Sequence, residues 1–263
     1  MEIIGYIAAL FIGVSLGLIG SGGTILALPI LVYLFRIPAV EGTHYSLFIV
    51  GVTAASGSVQ KFREKFVDVR SAVYFLIPSL LMVFITRHYI LTNIPDTIWG
   101  SFSKDGLLLV LFAGVMLAAS FSMLRSSREP DADCFEKIPE PGAKPVQSTI
   151  AALLVGFLTG LLGAGGGFLI VPVLTLLKGH CMRRATGTSL LIITVNSLLG
   201  FVSDIHSQMN WVLVLTFTAI ASAGMYGGIR LSNKMEGSQL KKVFGFVVLF
   251  IGLFILIKEL WLK

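Results

Sequence analysis

Charged residues are scarce in this sequence, at 13% of the 263 residues, whereas soluble domains carry roughly 25%. Hydrophobic residues reach 55%, and apolar stretches of about 20 residues, the length of a membrane-spanning helix, recur along the chain. Lysine and arginine outnumber aspartate and glutamate by 20 to 14, and in a membrane protein such a surplus more often sets orientation than binds nucleic acid. The sequence therefore predicts an all-α, polytopic membrane protein that contacts lipid and has no nucleic-acid partner.

The sequence also lacks the motifs of the common catalytic and metal sites. It has two cysteines but no CxxC and no Cys/His spacing, which argues against a metal site and against a disulfide framework. HExxH, GxSxG and paired intramembrane aspartates are missing, which argues against an intramembrane enzyme. The glycine run GLLGAGGG lacks the Lys-Ser/Thr of a phosphate-binding loop, and Phe168 interrupts GxGxxG. We therefore expect no catalytic residue, no metal and no cofactor.

Glycine is plentiful, and its densest runs occur twice, as GLIGSGGTILALPIL at residues 17–31 and GLLGAGGGFLIVPVL at residues 160–174. The two stretches align without a gap when the chain is displaced by 143 residues, the separation of Gly13 and Gly156. Among the identical positions, Gly13, Gly17, Gly20, Gly22, Gly23, Pro29, Thr43, Ser46 and Gly57 pair with Gly156, Gly160, Gly163, Gly165, Gly166, Pro172, Thr186, Ser189 and Gly200, in that order. Such self-similarity indicates that the chain is two copies of one unit.

The two units are joined by the only long polar stretch of the sequence, at residues 125–147. Its prolines and its charges of both signs are typical of a flexible connection. We therefore divide the chain into a first transmembrane repeat at 1–124, a polar cytoplasmic linker at 125–147 and a second transmembrane repeat at 148–263.

Each repeat contains three ordinary spans after one anomalous stretch. The anomalous stretches, at 3–35 and 148–177, are too long for one span and short for two, and the glycines divide each near its middle. We expect each of them to form a broken or re-entrant helical hairpin. The ordinary spans are predicted at about 45–60, 70–91 and 105–124 in the first repeat and at about 187–204, 211–230 and 240–258 in the second.

The distribution of lysine and arginine predicts how the repeats lie in the membrane. If each hairpin enters and leaves on the same side, about 15 basic residues fall on one face and about 5 on the other, as the positive-inside rule requires. If each hairpin crosses as a single span, the two faces carry about 10 each. We therefore predict two inverted repeats, each a broken hairpin plus three transmembrane helices, with both termini outside.

The glycine runs place a helix break inside the membrane. Glycine costs about 1 kcal/mol in a helix interior relative to alanine, and a break in lipid also frees backbone groups that cannot reach water. The half-helix that begins at the break presents free N–H groups with roughly half a positive charge, which attract an anion. Broken helices of inverted repeats that meet near the midplane are typical of secondary transporters. The predicted anion site comprises Thr24 and the backbone amides of Gly22, Gly23, Gly165, Gly166 and Gly167.

The alternative explanation for these glycines is close packing between helices. We favour packing for Gly13, Gly17, Gly156 and Gly160, whose spacing fits a small-xxx-small pattern. The runs at 20–24 and 163–167 carry more glycines than packing needs, so we favour a functional break there.

Other polar residues near the hairpins extend the candidate site. The hydroxyls that begin the next span of each repeat either donate to an anion or cap a helix, and they belong to Thr43, Ser46, Thr186 and Ser189. Asn196 lies in the middle of a span, where a polar side chain faces either a cavity or a partner on another helix. His44 follows the first hairpin and is a candidate for proton coupling, with an interfacial histidine as the alternative.

These motifs resemble those of the TauE/SafE family, also called TSUP, which comprises anion transporters linked mainly to sulfite, sulfonates and related organosulfur compounds. The resemblance rests on GLLGAGGGFLIVPVL followed by RRATGTSLLI, on the Asn210-Trp211 pair, and on GGIRLSNKM before a final apolar span. It covers nearly the whole chain outside the linker. It implies a multi-pass transporter in a bacterial cytoplasmic (inner) membrane.

The first repeat departs from the family pattern near the candidate site. Thr24 stands where the second repeat has Gly167, and His44-Tyr45 stands where the second has Gly187-Thr188. These departures break the symmetry where a substrate is expected, so the resemblance does not identify the anion.

The sequence as a whole predicts a secondary active transporter that moves a small anion by alternating access, with a sulfur oxyanion or an organosulfonate as the expected substrate. An anion channel is the alternative, because it uses the same half-helix ends but gives flux without saturation or countertransport. The direction of transport, the coupling ion and the oligomeric state, including a homodimer, stay open.

Overall fold

The computed structural model describes residues 2–20, 22–91, 93, 97–99, 102–125, 145–162, 167–178, 180–203, 209–232, 234 and 237–261. The α-helices in this part of the chain are α1 Glu2–Ile19, α2 Gly22–Leu34, α3 Ala39–Arg63, α4 Val69–Ile85, α5 Lys104–Arg125, α6 Pro145–Leu162, α7 Gly167–Lys178, α8 Met182–Val202, α9 Trp211–Ser232 and α10 Gly237–Trp261. A π-helical segment, Thr86–Leu91, follows α4 directly. Two short antiparallel strands, β1 Thr97–Trp99 and β2 Phe102–Ser103, precede α5.

The order of these elements confirms the predicted helices. α3, α4 and α5 correspond to the three spans after the first glycine run, and α8, α9 and α10 to the three after the second. The pairs α1–α2 and α6–α7 correspond to the two anomalous stretches, each split into two helices. The all-α class is confirmed, and the described strand pair is confined to the connection before α5, where the β-branched and aromatic residues of Thr97–Trp99 favour extended backbone.

The composition of the helices suits a membrane. Val69–Leu91, Met182–Val202 and Trp211–Ser232 are long and apolar enough to cross one, and the shorter apolar helices are Gly5–Ile19, Gly23–Leu34, Asp105–Ala118 and Val146–Leu162. Large apolar side chains also face outward, with Ile77 68% exposed and Phe250 79% exposed. In lipid such an exposed apolar surface costs nothing, and a helix satisfies its own backbone polar groups. The protein is therefore a membrane protein.

Corresponding helices of the two repeats pack against each other and run antiparallel. α3 packs on α8, and α5 packs on α10. The contacts that give their directions are Gly51 with Leu198 and Lys61 with Gly187 for the first pair, and Leu124 with Gly245 and Met116 with Gly252 for the second.

Two further pairs join the repeats along lines of glycine. α1 runs parallel to α9, and α6 runs parallel to α4. A side chain at any of the four glycines concerned would collide with the neighbouring helix, and the contacts are Gly13 with Ala221, Gly17 with Met225, Gly156 with Ser79, and Gly160 with Thr86. The packing explanation is therefore confirmed for these four positions.

The first glycine run ends one helix and starts another. Gly20 has a φ of +75°, a left-handed conformation that closes α1 and that glycine adopts without strain. α2 then folds back on α1 so closely that a side chain at Gly23 would collide with the carbonyl oxygen of Ile12. The predicted break is confirmed here. In the second run α6 ends at Leu162 and α7 begins at Gly167, and residues 163–166 lie outside the described part of the chain.

The start of α1 and the end of α10 lie on one side of the helical bundle. Gly5, near the start of α1, contacts the ring of Phe35, which follows α2. Tyr33, near the end of α2, donates a hydrogen bond to Glu259, near the end of α10. We call this side the terminal face. The opposite side, where α3 ends and α8 begins, carries Arg63, Lys65, Arg70, Arg183 and Arg184, and we call it the basic face.

One cysteine departs from the sequence-based expectation. Cys181, the residue before α8, is disulfide-bonded. The sequence argued against a disulfide framework, and the bond at Cys181 is a single bond that it did not predict. Two cysteines with no characteristic spacing carry no pairing signal, so the sequence could not have predicted the bond.

Candidate functional site

The starts of α2 and α7 meet inside the protein. A side chain placed at Gly167 would come within 3.0 Å of Cγ2 of Thr24, and Thr24 itself is fully buried. The two residues occupy equivalent positions of the repeat. Because the first N–H groups of a helix have no acceptor within it, two partial positive charges converge here. Gly22 and Gly23 lie in the first turn of α2, and Gly165 and Gly166 lie outside the described residues.

The predicted hydroxyls of the second repeat bind the backbone of the first. Oγ1 of Thr186 donates to the carbonyl oxygen of Ile19 over 3.1 Å, and Oγ of Ser189 donates to the carbonyl oxygen of Gly20 over 3.1 Å. Both acceptors end α1, where helix carbonyls have no internal donor. These hydroxyls of the second repeat therefore cap a helix end of the first repeat. The bonds agree with the capping alternative, except that the capped helix belongs to the other repeat.

The equivalent hydroxyls of the first repeat form bonds within α3. Oγ1 of Thr43 donates to the carbonyl oxygen of Val40 over 2.7 Å, and Oγ of Ser46 donates to that of Thr43 over 2.9 Å. Both side chains are fully buried. They lie near the start of α3, close to the terminal face.

Asn196 bonds with another helix. Its Oδ1 lies 3.2 Å and its Nδ2 3.1 Å from Oγ of Ser79, which joins α8 to α4, and neither side chain is exposed. The interhelical alternative is therefore confirmed for Asn196.

His44 lies among aromatic rings near the terminal face. Its imidazole is buried, and its ring centre lies 4.7 Å from that of Phe201. Phe48, Phe201 and Trp211 complete the group, and Trp211 remains half exposed. Aromatic residues gather where a membrane meets water, so this position suits the interfacial alternative.

The departure at Tyr45 has a structural explanation. Oη of Tyr45 accepts the backbone N–H of Asn210 over 2.9 Å, and Oγ1 of Thr188 accepts that of Asp68 over 3.0 Å. Thr188 and Tyr45 are equivalent in the repeat, and Asp68 and Asn210 correspond with a one-residue shift. The two repeats thus use different residue types to supply the same hydroxyl acceptor on opposite faces.

The basic face contains a histidine that is not among the predicted site residues. Nε2 of His180, between α7 and α8, lies 3.4 Å from Oδ2 of Asp68, and the His180 side chain is 2% exposed. His180 directly follows the second hairpin arm, and this position was the available signal. Comparison of the repeats did not indicate a functional residue at this position, because Ile37 stands at the equivalent position of the first repeat.

Asp68 is ionised in spite of partial burial. Burial by itself raises the pKa of this carboxyl group, but hydrogen bonds from Ser71 and the positive charges of His180 and Arg184 outweigh it and hold the pKa below its usual value. Asp68 also caps α4, because Oδ1 accepts the backbone N–H of Ser71 over 3.1 Å.

Two of the basic residues that enter the count of charges on the two faces are buried. Lys61 is 1% exposed, and its Nζ lies 2.8 Å from Oε2 of Glu64. Arg87, at the other end of the bundle, is 3% exposed. Buried basic residues in a membrane protein need partners, so these two differ from residues that serve orientation alone. Over the described ranges, no group of three or more His, Cys, Asp or Glu residues is arranged to hold a metal ion.

Comparison with known proteins gives a consistent result. The family model described as Sulfite exporter TauE/SafE matches residues 5–255. A "Probable membrane transporter protein" of Xylella fastidiosa (strain Temecula1) is 28% identical over 256 residues, which cover 93% of this chain and 91% of that protein. The "Probable membrane transporter protein YunE" of Bacillus subtilis (strain 168) is 28% identical over 265 residues, which cover 94% of each chain. Their names agree with a transporter rather than an enzyme.

Proposed function

Because the chain belongs to the TauE/SafE family, we propose that it is a secondary active transporter that moves a small anion across the bacterial cytoplasmic membrane by alternating access. The proposed substrate is a sulfur oxyanion or an organosulfonate. The proposed site lies where α2 and α7 begin, and it comprises Thr24 with the amides of Gly22, Gly23, Gly165, Gly166 and Gly167.

One observation carries this proposal, namely the approach of Thr24 to Gly167 in a buried region between the two repeats. A sulfur oxyanion has several acceptor oxygens, and two helix starts offer N–H donors from two directions. Such a site needs no lysine or arginine. When no anion is bound, the site therefore holds no buried full positive charge that another group has to neutralise.

The arrangement of the helices supports inverted repeats. If the repeats had the same orientation, α3 would run parallel to α8 and α5 parallel to α10. Both pairs run antiparallel, as expected for a pseudo-twofold axis in the plane of the membrane. The Thr24–Gly167 approach joins equivalent residues and so lies close to that axis.

The proposed mechanism is a rocking movement of the two repeats about this region. The hairpin of the first repeat is bonded to α8 of the second through Thr186 and Ser189. A movement of α8 therefore carries the tip of the first hairpin with it, while the substrate stays between the helix starts. The excess of basic residues supports a cytoplasmic location of the basic face and the linker in this mechanism.

A thermal-shift scan of the purified protein tests the site. Sulfite, sulfate, thiosulfate, sulfoacetate, taurine and matched carboxylates are compared, since a ligand at 100 times its Kd stabilises by about 2.7 kcal/mol. We expect selective stabilisation by a sulfur anion, weakened at least about tenfold in affinity by Thr24→Val, because one donor is lost. Thr218→Val is the matched control, since Thr218 is buried and bonds to its own helix at Val214.

Equal binding by Thr24→Val and the unmodified protein would place the anion elsewhere.

Flux in proteoliposomes then separates a transporter from a channel. A transporter shows saturation and countertransport of the anion found in the scan, whereas flux that rises linearly with concentration would overturn the alternating-access proposal.

A further inference from the structure

A titratable ion pair joins the two repeats on the basic face, away from the proposed anion site. His180 belongs to the second repeat and Asp68 to the first, and 3.4 Å separate Nε2 from Oδ2. The imidazole is buried, while the carboxylate is 26% exposed. A proton from water on this face can therefore reach the pair.

The two partners belong to different repeats, and the N–H of Asp68 also donates to Oγ1 of Thr188 in the second repeat over 3.0 Å. Asp68 is fixed at the start of α4 by the Ser71 N–H, and Oγ of Ser71 lies 3.5 Å from Nε2 of His180. His180 lies between α7 and α8, and its N–H donates to the carbonyl oxygen of Leu174 over 3.3 Å. A movement that separates the repeats on this face therefore lengthens the distance between the imidazole and the carboxylate, together with the bond between Asp68 and Thr188.

The opposite face shows that packing does not require this pair. Asn210 there repeats the two structural roles of Asp68, because it caps α9 through Leu213 and bonds to the hydroxyl of Tyr45. Asn210 cannot ionise, and the position equivalent to His180 is Ile37. Capping and bonding between repeats thus need neither a carboxylate nor an imidazole, and the titratable pair is an addition specific to one face.

The other charged groups that the structure describes near the pair are lysine, arginine and glutamate side chains. Arg184, on α8, also interacts with Asp68. Lys61 and Glu64, at the end of α3, pair with each other. Arg70 and Arg183 are exposed. Among these described residues, His180 is therefore the group whose type changes charge near neutral pH.

We propose that His180 and Asp68 form a proton-binding site that couples protonation to the alternating access proposed above. When His180 takes up a proton from water, the imidazolium and the carboxylate attract each other, and the basic face is held closed. When the proton returns to water, the attraction weakens and the repeats separate on this face. The ligand of this second site is thus the proton, and the proposal depends on the proposed function.

A distance measurement tests this proposal without a substrate. Spin labels are attached at Val69→Cys on the first repeat and Arg183→Cys on the second, both exposed positions, in a chain whose two native cysteines are replaced by serine. Distances are recorded at about pH 5.5 and about pH 8, either side of the ordinary imidazole pKa. We expect the ratio of short to long distances to fall about tenfold as the pH rises, as a difference of one pKa unit between the two states gives.

Variants of the pair separate a proton site from a structural contact. His180→Gln and Asp68→Asn should lose the pH dependence, while His180→Lys, which keeps its charge, should stay at the short distance at both pH values. His88→Gln on the terminal side is the control and should behave like the unmodified protein. A pH-independent distance in the unmodified protein, or a pH response that survives both His180→Gln and Asp68→Asn, would overturn the proposal. Neither result depends on anion binding, so it leaves the proposed function to its own test.

Discussion

The hydroxyl of Thr186 donates to the backbone carbonyl of Ile19, 3.1 Å away, and so ties the start of α8 to the last turn of α1 in the other repeat. Ser189 makes the same kind of bond to Gly20 and shares its one hydroxyl hydrogen with the carbonyl oxygen of Thr186, 2.8 Å away. A helix that ends inside a membrane has carbonyls that neither its own turns nor water can satisfy. These two hydroxyls supply the missing donors, which explains how the chain tolerates a break among apolar residues.

Ser189→Ala should therefore destabilise the protein. The carbonyl of Gly20 loses a donor in a fully buried position, and an unsatisfied buried group costs about 1–3 kcal/mol. The midpoint of thermal unfolding in one detergent measures the change. Thr218→Val serves as the control because its hydroxyl bonds only within α9. An equal loss in both variants would show that the bond to Gly20 has no special role.

The sequence predicted the helices and the hairpins because the repeat and the apolar pattern are local properties of the chain. The glycines of α1 and α6 could be assigned to packing for the same reason, since their spacing is visible in the sequence. The partners of Thr186 and Asn196 could not be predicted. They lie on other helices, and the repeat gives equivalent positions but not contacts.

Two adjacent glycines on α9 should respond in opposite ways to alanine. A side chain at Gly228 would collide with the carbonyl of Val14 on α1, whereas one at Gly227 meets no atom within 4 Å. We expect Gly228→Ala to destabilise by about 1–3 kcal/mol, as overpacking does. Gly227→Ala should be neutral or stabilise by up to about 1 kcal/mol, because alanine is the better helix former. Unfolding of the two variants in the same detergent makes the comparison, and similar midpoints would contradict the tight α1–α9 contact.

The bond between Ser79 and Asn196 predicts an unequal pair of single mutants. Ser79→Ala leaves both polar atoms of a buried Asn196 without this partner, whereas Asn196→Leu leaves Ser79 its second bond, to the carbonyl of Leu76. We expect Ser79→Ala to be the more destabilising change. The double mutant should reveal a coupling of about 0.6 kcal/mol, up to about 1.7, as measured for such bonds in membranes. Additive effects in a double-mutant cycle would rule out the coupling.

The pKa of Asp68 predicts how stability depends on pH. The folded-state pKa of this carboxyl lies below the unfolded value, so its ionised form stabilises the folded protein. This contribution is present above the unfolded pKa of about 3.9 and is lost as the pH falls through the lower, folded pKa. Asp68→Asn should lower the unfolding midpoint at neutral pH. The difference between the midpoints of the variant and the unmodified protein should shrink as the pH falls toward about 3. A difference that is constant with pH would assign the effect to packing.

The proposed anion site could be recognised in the sequence, whereas the proposed proton-binding pair of His180 and Asp68 could not. The repeat marked the glycine runs because both copies carry them. His180 and Asp68 occur in one copy each, and the equivalent residues of the other copy do not titrate. A comparison of the two copies therefore does not identify the pair. Features that break a repeat are thus as informative as those that keep it, but they are recognised only when contacts between the copies are known.

Orientation in the membrane can be tested by labelling exposed residues near the helix ends on the two faces. In a chain whose native cysteines are replaced, Lys65→Cys of the first repeat and Lys242→Cys of the second should both react from the cytoplasmic side, and Arg36→Cys should react from outside. Reaction of the first two from opposite sides would contradict the inverted arrangement.

The native Cys181 provides an independent measure of the same orientation. It lies on the basic face and is disulfide-bonded in the structure, yet thiols that face the cytoplasm are kept reduced. If the basic face is cytoplasmic, Cys181 in intact cells should react with a membrane-permeant maleimide without added reductant. If it reacts only after reduction, the disulfide forms in cells, the basic face lies outside, and the orientation drawn from the basic residues has to be reversed while the inverted relation of the repeats stands.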